Sequence, residues 1–269
     1  IYTVLGMKNF MEFSDELFLM TAVDDNTEHL FSFVYDDLNH KYFSVVKNIP
    51  AVHLYIIEGS ERWESYDYIP ESMNLSVIEN INSFDGILVN MITGFDISLD
   101  SLKKMRKDYN GLIYMDIHTL SRGVGKNKKR AFRLIPEVEE WIANVDIIQA
   151  NENEIRTLSS KNNELEIIND ILHFGLQILI VTRGKEGNSV YWLEDGSVHE
   201  FTQKAAAGGN INTVGCGDVF GAVFFYSYIK DRNLEKAART ANAAAGCVTE
   251  YSDISRFIKL KNDTFTRLN

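Results

Sequence analysis

From about residue 77 the chain alternates short apolar runs with helical stretches, and this rhythm admits few folds. Residues 86–89, 112–115, 145–150 and 177–182 read as strands, apolar enough to be buried on both faces. Residues 99–109, 136–143, 152–158 and 164–174 read as helices between them. Pro136 stands at the start of one helix and Gly175 closes another. Residues 189–193 and 198–201 flank Asp195-Gly196, a hairpin signal. Helices over 218–230 and 234–250 follow. Strands alternating with helices predict an α/β fold, a mostly parallel sheet with helices on both faces in three α/β/α layers.

The first part of the chain reads differently. Residues 2–10 suggest a helix, and 17–23 a buried strand ended by Asp24-Asp25-Asn26. Residues 31–35, 42–46 and 53–57 read as β pieces, with 36–40 as a hairpin connection between the first two. With no helix expected among them, 31–57 should form a small antiparallel sheet apart from the core. The chain begins at Ile1 inside a helix-like segment, and the expectation is that further residues precede it. The basic run Lys126 to Arg130 follows Gly123 and Gly125 and reads as a solvated loop.

With 269 residues the chain suits a single domain over 1–269, the β-rich 31–57 being an appendage to it. The net charge of −11 argues against a nucleic-acid surface or an anionic membrane as partner. It leaves nucleotide binding open, since that depends on local donors. No apolar run reaches membrane-spanning length and no signal peptide is visible. Cys216 and Cys247 read as reduced thiols, which leads to the expectation of a cytoplasmic protein. The histidines show no zinc-ligand spacing.

Chemistry collects around Asn212-Thr213-Val214-Gly215-Cys216-Gly217-Asp218, which runs straight into the apolar stretch 219–229. A glycine loop meeting a helix start can turn several N–H groups toward one point, where the helix adds partial positive charge. A carboxylate beside that anion site supplies what phosphoryl transfer to a hydroxyl needs, donors for the developing charge and a base for the proton. The ordinary alternative is a loop with an aspartate stabilising the first helical turn. A dinucleotide fingerprint fails at Phe220, where its third glycine belongs, and no Walker A Gly-Lys-Ser/Thr is present. Two further motifs follow successive strands: Asn151-Glu152-Asn153-Glu154, and Thr182-Arg183-Gly184-Lys185-Glu186-Gly187. Each also has an ordinary reading, the first as a helix cap and the second as a strand-ending turn. Ligands of open α/β sheets bind at the carboxyl ends of strands, where all three motifs fall.

The order N-x-x-E at 151–154, V-T-x-G-x-x-G at 181–187, the glycine loop at 212–218 and A-N-A-A-A at 241–245 resembles the ribokinase-like (PfkB) carbohydrate kinases. The resemblance is strong over residues 77–250. It implies a β lid over the sugar and Asp218 as catalytic base, with the N–H groups of Gly215, Cys216 and Gly217 as anion hole. It further implies Asn151 and Glu154 organising magnesium and the ATP phosphates, with Glu154 acting on the metal through water. Thr182, Gly184 and Gly187 correspond to a nucleotide-contacting turn, and Asn242 to an asparagine near the adenine. Lid-mediated pairing of two subunits is the implied assembly. Three departures stand out. Asn212 replaces an aspartate that helps hold a monovalent cation in some relatives, leaving potassium dependence open. Cys216 replaces an alanine, and the glycine-pair motif that contacts the sugar is absent. The resulting expectation is ATP- and Mg2+-dependent phosphorylation of a hydroxymethyl group on a sugar or nucleoside. The alternatives are a catalytically weakened nucleotide- or metabolite-binding relative and a hydroxymethyl pyrimidine-type kinase. The β-rich 31–57 favours the sugar group.

Overall fold

The computed structural model describes residues 1–55, 63–125, 128–206 and 213–268. A six-stranded sheet forms the core, with strands in the order 197–203, 188–194, 178–182, 147–151, 112–116, 86–90. The last four of these run parallel, and 188–194 and 197–203 extend the sheet as an antiparallel hairpin. At the hairpin tip Asp195 and Gly196 both have positive φ, as a two-residue turn of this kind requires.

The central strands are buried on both faces, and residue alternation divides each between two cores. Ile113, Met115, Ile148, Leu179 and Val181 face one core, which the helices Leu99–Asp108, Val138–Ile142 and Glu164–His173 complete. Leu112, Tyr114, Ile147, Ile178 and Ile180 face the other, filled by the helices Tyr2–Lys8, Cys216–Asp231 and Leu234–Val248. The predicted three-layer α/β/α arrangement is therefore the observed one. Side-chain caps set several helix starts. Ser98 accepts from Ser101 N, Asn163 from Leu165 N and Glu166 N, and Asn233 from Lys236 N.

The first part of the chain departs from its expected form. Of 17–23, only Thr21–Val23 is a strand, and it pairs in parallel with Phe43–Val45. The predicted β piece at 31–35 is helical, with a turn of α-helix over Ser32–Tyr35 after the 3-10 turn Glu28–Leu30. This conformation buries Val34 and Tyr35 against Val23 in a small separate cluster. Residues 36–40 consequently lead from helix to strand and are not a hairpin. The antiparallel pairing expected near 53–57 exists as Val52–Tyr55 with Trp63–Tyr66, while residues 56 and 57 lie outside the described part. The basic run is not simply solvated either. Arg122–Val124 and Arg130–Phe132 form a second antiparallel ribbon, and Arg130 is 3% exposed. A bridge between Ser65 and Lys129 joins the two ribbons.

Candidate active site

Strand register aligns a polar rim at the carboxyl ends of the parallel strands. Asn90 lies opposite Asp116, Asp116 opposite Gln149, and Asn151 opposite Thr182. The helix Cys216–Asp231 starts beside this rim and brings Asp218 to it. Asp218 Oδ1 accepts from Asn90 Nδ2 at 2.5 Å and from Thr3 Oγ1 at 3.1 Å. Two donors from distant parts of the chain thus fix one oxygen of a partly exposed carboxylate.

The loop before this helix depends on close backbone approach. Gly215 has φ +82°, and a Cβ there would lie 2.2 Å from the Tyr2 ring. Gly215 therefore meets both demands that only glycine meets, a left-handed conformation and contact with the N-terminal helix. Gly217 differs, since its φ is ordinary and the nearest atom to a built Cβ is Gln149 Nε2 at 3.6 Å. Cys216 N–H donates to Thr213 O at 3.3 Å, so of the three proposed anion donors it already has an acceptor. The first turn of a helix leaves N–H groups without intrahelical acceptors, and Gly217 and Asp218 occupy that turn. The Cys216 thiol is pushed up to about 11 by burial and by Asp218, which keeps it a protonated, poor nucleophile.

Beneath the loop, Gln149 Nε2 donates to Gly217 O at 3.1 Å and to Asp116 Oδ2 at 3.2 Å. Its Oε1 accepts from the buried Tyr114 hydroxyl. Asp116 Oδ1 lies 3.2 Å from His118 Nδ1. Burial opposes a charge on the imidazole, but Asp116 beside it, helped by Asp218 and Glu154, prevails and raises His118 to about 9. The carboxylate of Asp116 thus favours the protonated form of His118.

Asn151 and Glu154 form a reciprocal cap. Asn151 Oδ1 accepts from Asn153 N and Glu154 N, both at 2.9 Å, and Glu154 Oε2 accepts from Asn151 N at 2.8 Å. The expected helix over 152–158 shrinks to a turn and the 3-10 segment Ile155–Thr157. Glu154 is 4% exposed, and its Oε1 receives Arg122 Nη1 at 3.1 Å. Burial, and secondarily the charge of Asp116, raise its carboxyl above the ordinary value against the pull of Arg122 and His118. With both oxygens engaged, Glu154 suits contact with a hydrated magnesium ion better than direct ligation. Among the described residues no group of three acidic, histidine or cysteine side chains converges as a metal cage.

The third motif lies along the same rim. Thr182 Oγ1 reaches Ala150 O at 3.4 Å, Gly184 has φ +51° and Gly187 φ +106°. A Cβ on Gly187 would sit 2.0 Å from Gln203 O, so the turn lies directly against the end of strand 197–203. Asn242 Nδ2 donates to Lys204 O at 2.8 Å, which brings the helix asparagine to the same segment. Asn212 lies outside the described residues.

A family model for the pfkB family carbohydrate kinases matches residues 126–258. This match, over 133 of the 269 residues, supports a ribokinase-like (PfkB) carbohydrate kinase. Among curated proteins it is 28% identical over 156 residues to an uncharacterized sugar kinase of Archaeoglobus fulgidus, a match covering 57% of this chain and 56% of that relative. The chain thus matches little more than half the length of that relative. Solved structures of ribokinase-family proteins superpose over nearly all of it. A pyrophosphate-dependent kinase in the ribokinase family, complexed with a pyrophosphate analog and myo-inositol, aligns with a TM-score of 0.79 at 17% identity, over 97% of this chain and 89% of that one. Arabidopsis thaliana ribokinase complexed with ribose and ATP aligns at 0.77 and 15% identity, over 100% and 86%. At such identities the superposition speaks for the fold alone.

Motif reading singled out Asp218, Gly215 to Gly217, Asn151, Glu154 and the 182–187 turn, residues that the structure brings to the carboxyl ends of the parallel strands. It missed Thr3, Gln149, His118 and Arg122. Gln149 did leave a signal, as a polar residue inside the apolar run Ile147-Ile148-Gln149-Ala150. Asp116 ends a strand in the way Asn151 does. Thr3 and Arg122 left none, because their partners are far away in sequence.

Proposed function

We propose that the protein transfers a phosphoryl group from ATP to a hydroxymethyl group of a sugar or nucleoside. The observation that carries this reading is the Asp218 carboxylate, held by Asn90 and Thr3 at the start of a helix whose first-turn N–H groups belong to Gly217 and Asp218. Asp218 takes the proton of the acceptor hydroxyl as its oxygen attacks the γ-phosphorus. The new O–P bond forms while the bond to the ADP oxygen breaks, and the N–H groups of the loop, Gly215 and Gly217 among them, receive the charge on the transferred oxygens. Asn151 and Glu154 would orient a hydrated magnesium ion, whose charge offsets that of the donor phosphates. Thr182, Gly184, Gly187 and Asn242 line the proposed path of the nucleotide, and a protonated His118 would add positive charge beside Asp116 at the same rim. The strand pairs Val52–Tyr55 with Trp63–Tyr66 and Arg122–Val124 with Arg130–Phe132 would serve as the cover that keeps water from the acceptor.

The test is a panel of pentoses, hexoses, inositols and nucleosides incubated with Mg2+ and either ATP or pyrophosphate, with phosphorylated product read by mass spectrometry. The expected result is product from one acceptor class with ATP, and none from Asp218→Asn. No product with any acceptor, together with ADP binding that Asp218→Asn leaves unchanged, would identify a binding protein that has lost catalysis.

A further inference from the structure

Two arginines of the ribbon formed by Arg122–Val124 and Arg130–Phe132 are buried, Arg122 at 7% and Arg130 at 3% exposure. Removing a guanidinium from water is costly, so each burial needs specific partners. Arg130 supplies Nη2 to the carbonyls of Thr119 and Arg122 and Nη1 to the Tyr66 hydroxyl. Tyr66 belongs to the other ribbon, and its hydroxyl in turn donates to Ile92 O, just past the strand 86–90. Arg122 donates to Glu154 Oε1 and to the His118 carbonyl. Its guanidinium carbon lies 4.3 Å from the centroid of the Phe132 ring, on the ribbon strand opposite. An unbroken run of contacts therefore leads from the cover ribbons, through Arg130 and Arg122, to the carboxylate of the Asn151–Glu154 motif.

We propose that Arg122 is a positioning residue that makes the orientation of Glu154, and with it magnesium-dependent donor binding, depend on the cover being seated against the sheet. This rests on the kinase reading above. The guanidinium suits the task because its planar fork serves the carboxylate and the turn carbonyl together while its face rests on Phe132. A lysine can keep the charge pair but not all three contacts. The ribbon and the donor motif then share one residue, so that an acceptor enclosed by the cover and a metal-loaded donor each favour the other's site.

The experiment compares wild type, Arg122→Lys and Phe132→Ala. ADP affinity is measured by calorimetry with and without Mg2+, and thermal midpoints are recorded alongside. Loss of a residue that orients a metal-organising carboxylate lowers metal-linked affinity by about tenfold or more. Arg122→Lys is expected to reduce the Mg2+-dependent gain in ADP affinity by that order and to leave metal-free ADP binding unchanged. Phe132→Ala, at the protein surface, should reduce the gain in the same direction and carries the test alone if Arg122→Lys does not fold. A wild-type Mg2+ gain in both variants, whatever their thermal midpoints, would make Arg122 a structural residue only and overturn the proposal. A loss in Arg122→Lys with none in Phe132→Ala would remove the link to the cover and overturn it equally. Wild-type ADP binding that ignores Mg2+, with no acceptor phosphorylated, would sink the kinase reading itself, a failure distinct from the other two.

Discussion

At the scale of single residues the site is a balance of charges. Asp218→Asn should keep both the Thr3 and Asn90 neighbours in place while removing the proton acceptor, and turnover should fall by about 10² to 10⁴ with ADP affinity little changed. Steady-state kinetics beside calorimetry checks this, and wild-type turnover would remove Asp218 from its role. His118 gives a second, pH-based expectation. Its folded pKa, about 9, is above the ordinary histidine value of about 6.5, so the folded state holds its proton more tightly. The stabilisation is complete below the unfolded pKa and is lost as pH rises through the folded one. Thermal midpoints of wild type should therefore fall between about pH 6.5 and pH 9 relative to His118→Asn, which has no proton to lose. The imidazole is 26% exposed, so solvent screening will moderate the effect. Parallel pH curves for the two proteins would show that Asp116 does not hold the charge.

At the scale of elements, glycines that look alike in sequence have different duties. Gly215→Ala would drive a methyl into the Tyr2 ring at a positive φ, and should lower both thermal stability and turnover. Gly217→Ala has room and an ordinary φ, so it should fold with a nearly unchanged thermal midpoint and show its cost in turnover, where backbone approach to the phosphoryl group matters. Equal activity of Gly217→Ala and wild type would take that N–H out of the anion site. The same contrast explains what was legible in the chain. The core strands were readable because burial on both faces writes itself as continuous apolar runs, as in Ile178-Leu179-Ile180-Val181. Residues 31–35 misled because a short apolar run suits a strand or a helical turn equally, and the cluster with Val23 decides for the turn. Arg130 misled because a basic run reads as solvated until Tyr66 and Thr119, both distant in sequence, arrive as its partners.

At the scale of the whole molecule, the cover ribbons bring the question of assembly. The strand Val52–Tyr55 is exposed at every position, with Val52, Leu54 and Tyr55 at 37, 45 and 40%. Val45, at the end of the neighbouring parallel pair, is 74% exposed. An exposed strand rich in apolar side chains is a ready template for pairing with another chain, and proteins usually blunt such edges with charge or cover them. On that strand His53 Nε2 lies 3.0 Å from Asp67 Oδ2, both side chains exposed, while Val52 and Leu54 present apolar surface to solvent. We therefore propose a homodimer formed through the cover, in which each subunit shields the other's ribbon. Sedimentation velocity across a hundredfold concentration range should give twice the chain mass. Leu54→Lys, a change at an exposed position with no core contact, should shift the protein to monomer without lowering its thermal midpoint by more than a surface substitution does, about 0.5 kcal/mol in stability. If the cover also needs its partner to stay seated, the same variant should raise the acceptor KM more than it lowers kcat, because an unsupported cover encloses the acceptor less well before the chemical step. A wild-type protein that sediments as a monomer at every concentration would leave the exposed ribbon without this partner and sink the proposed assembly.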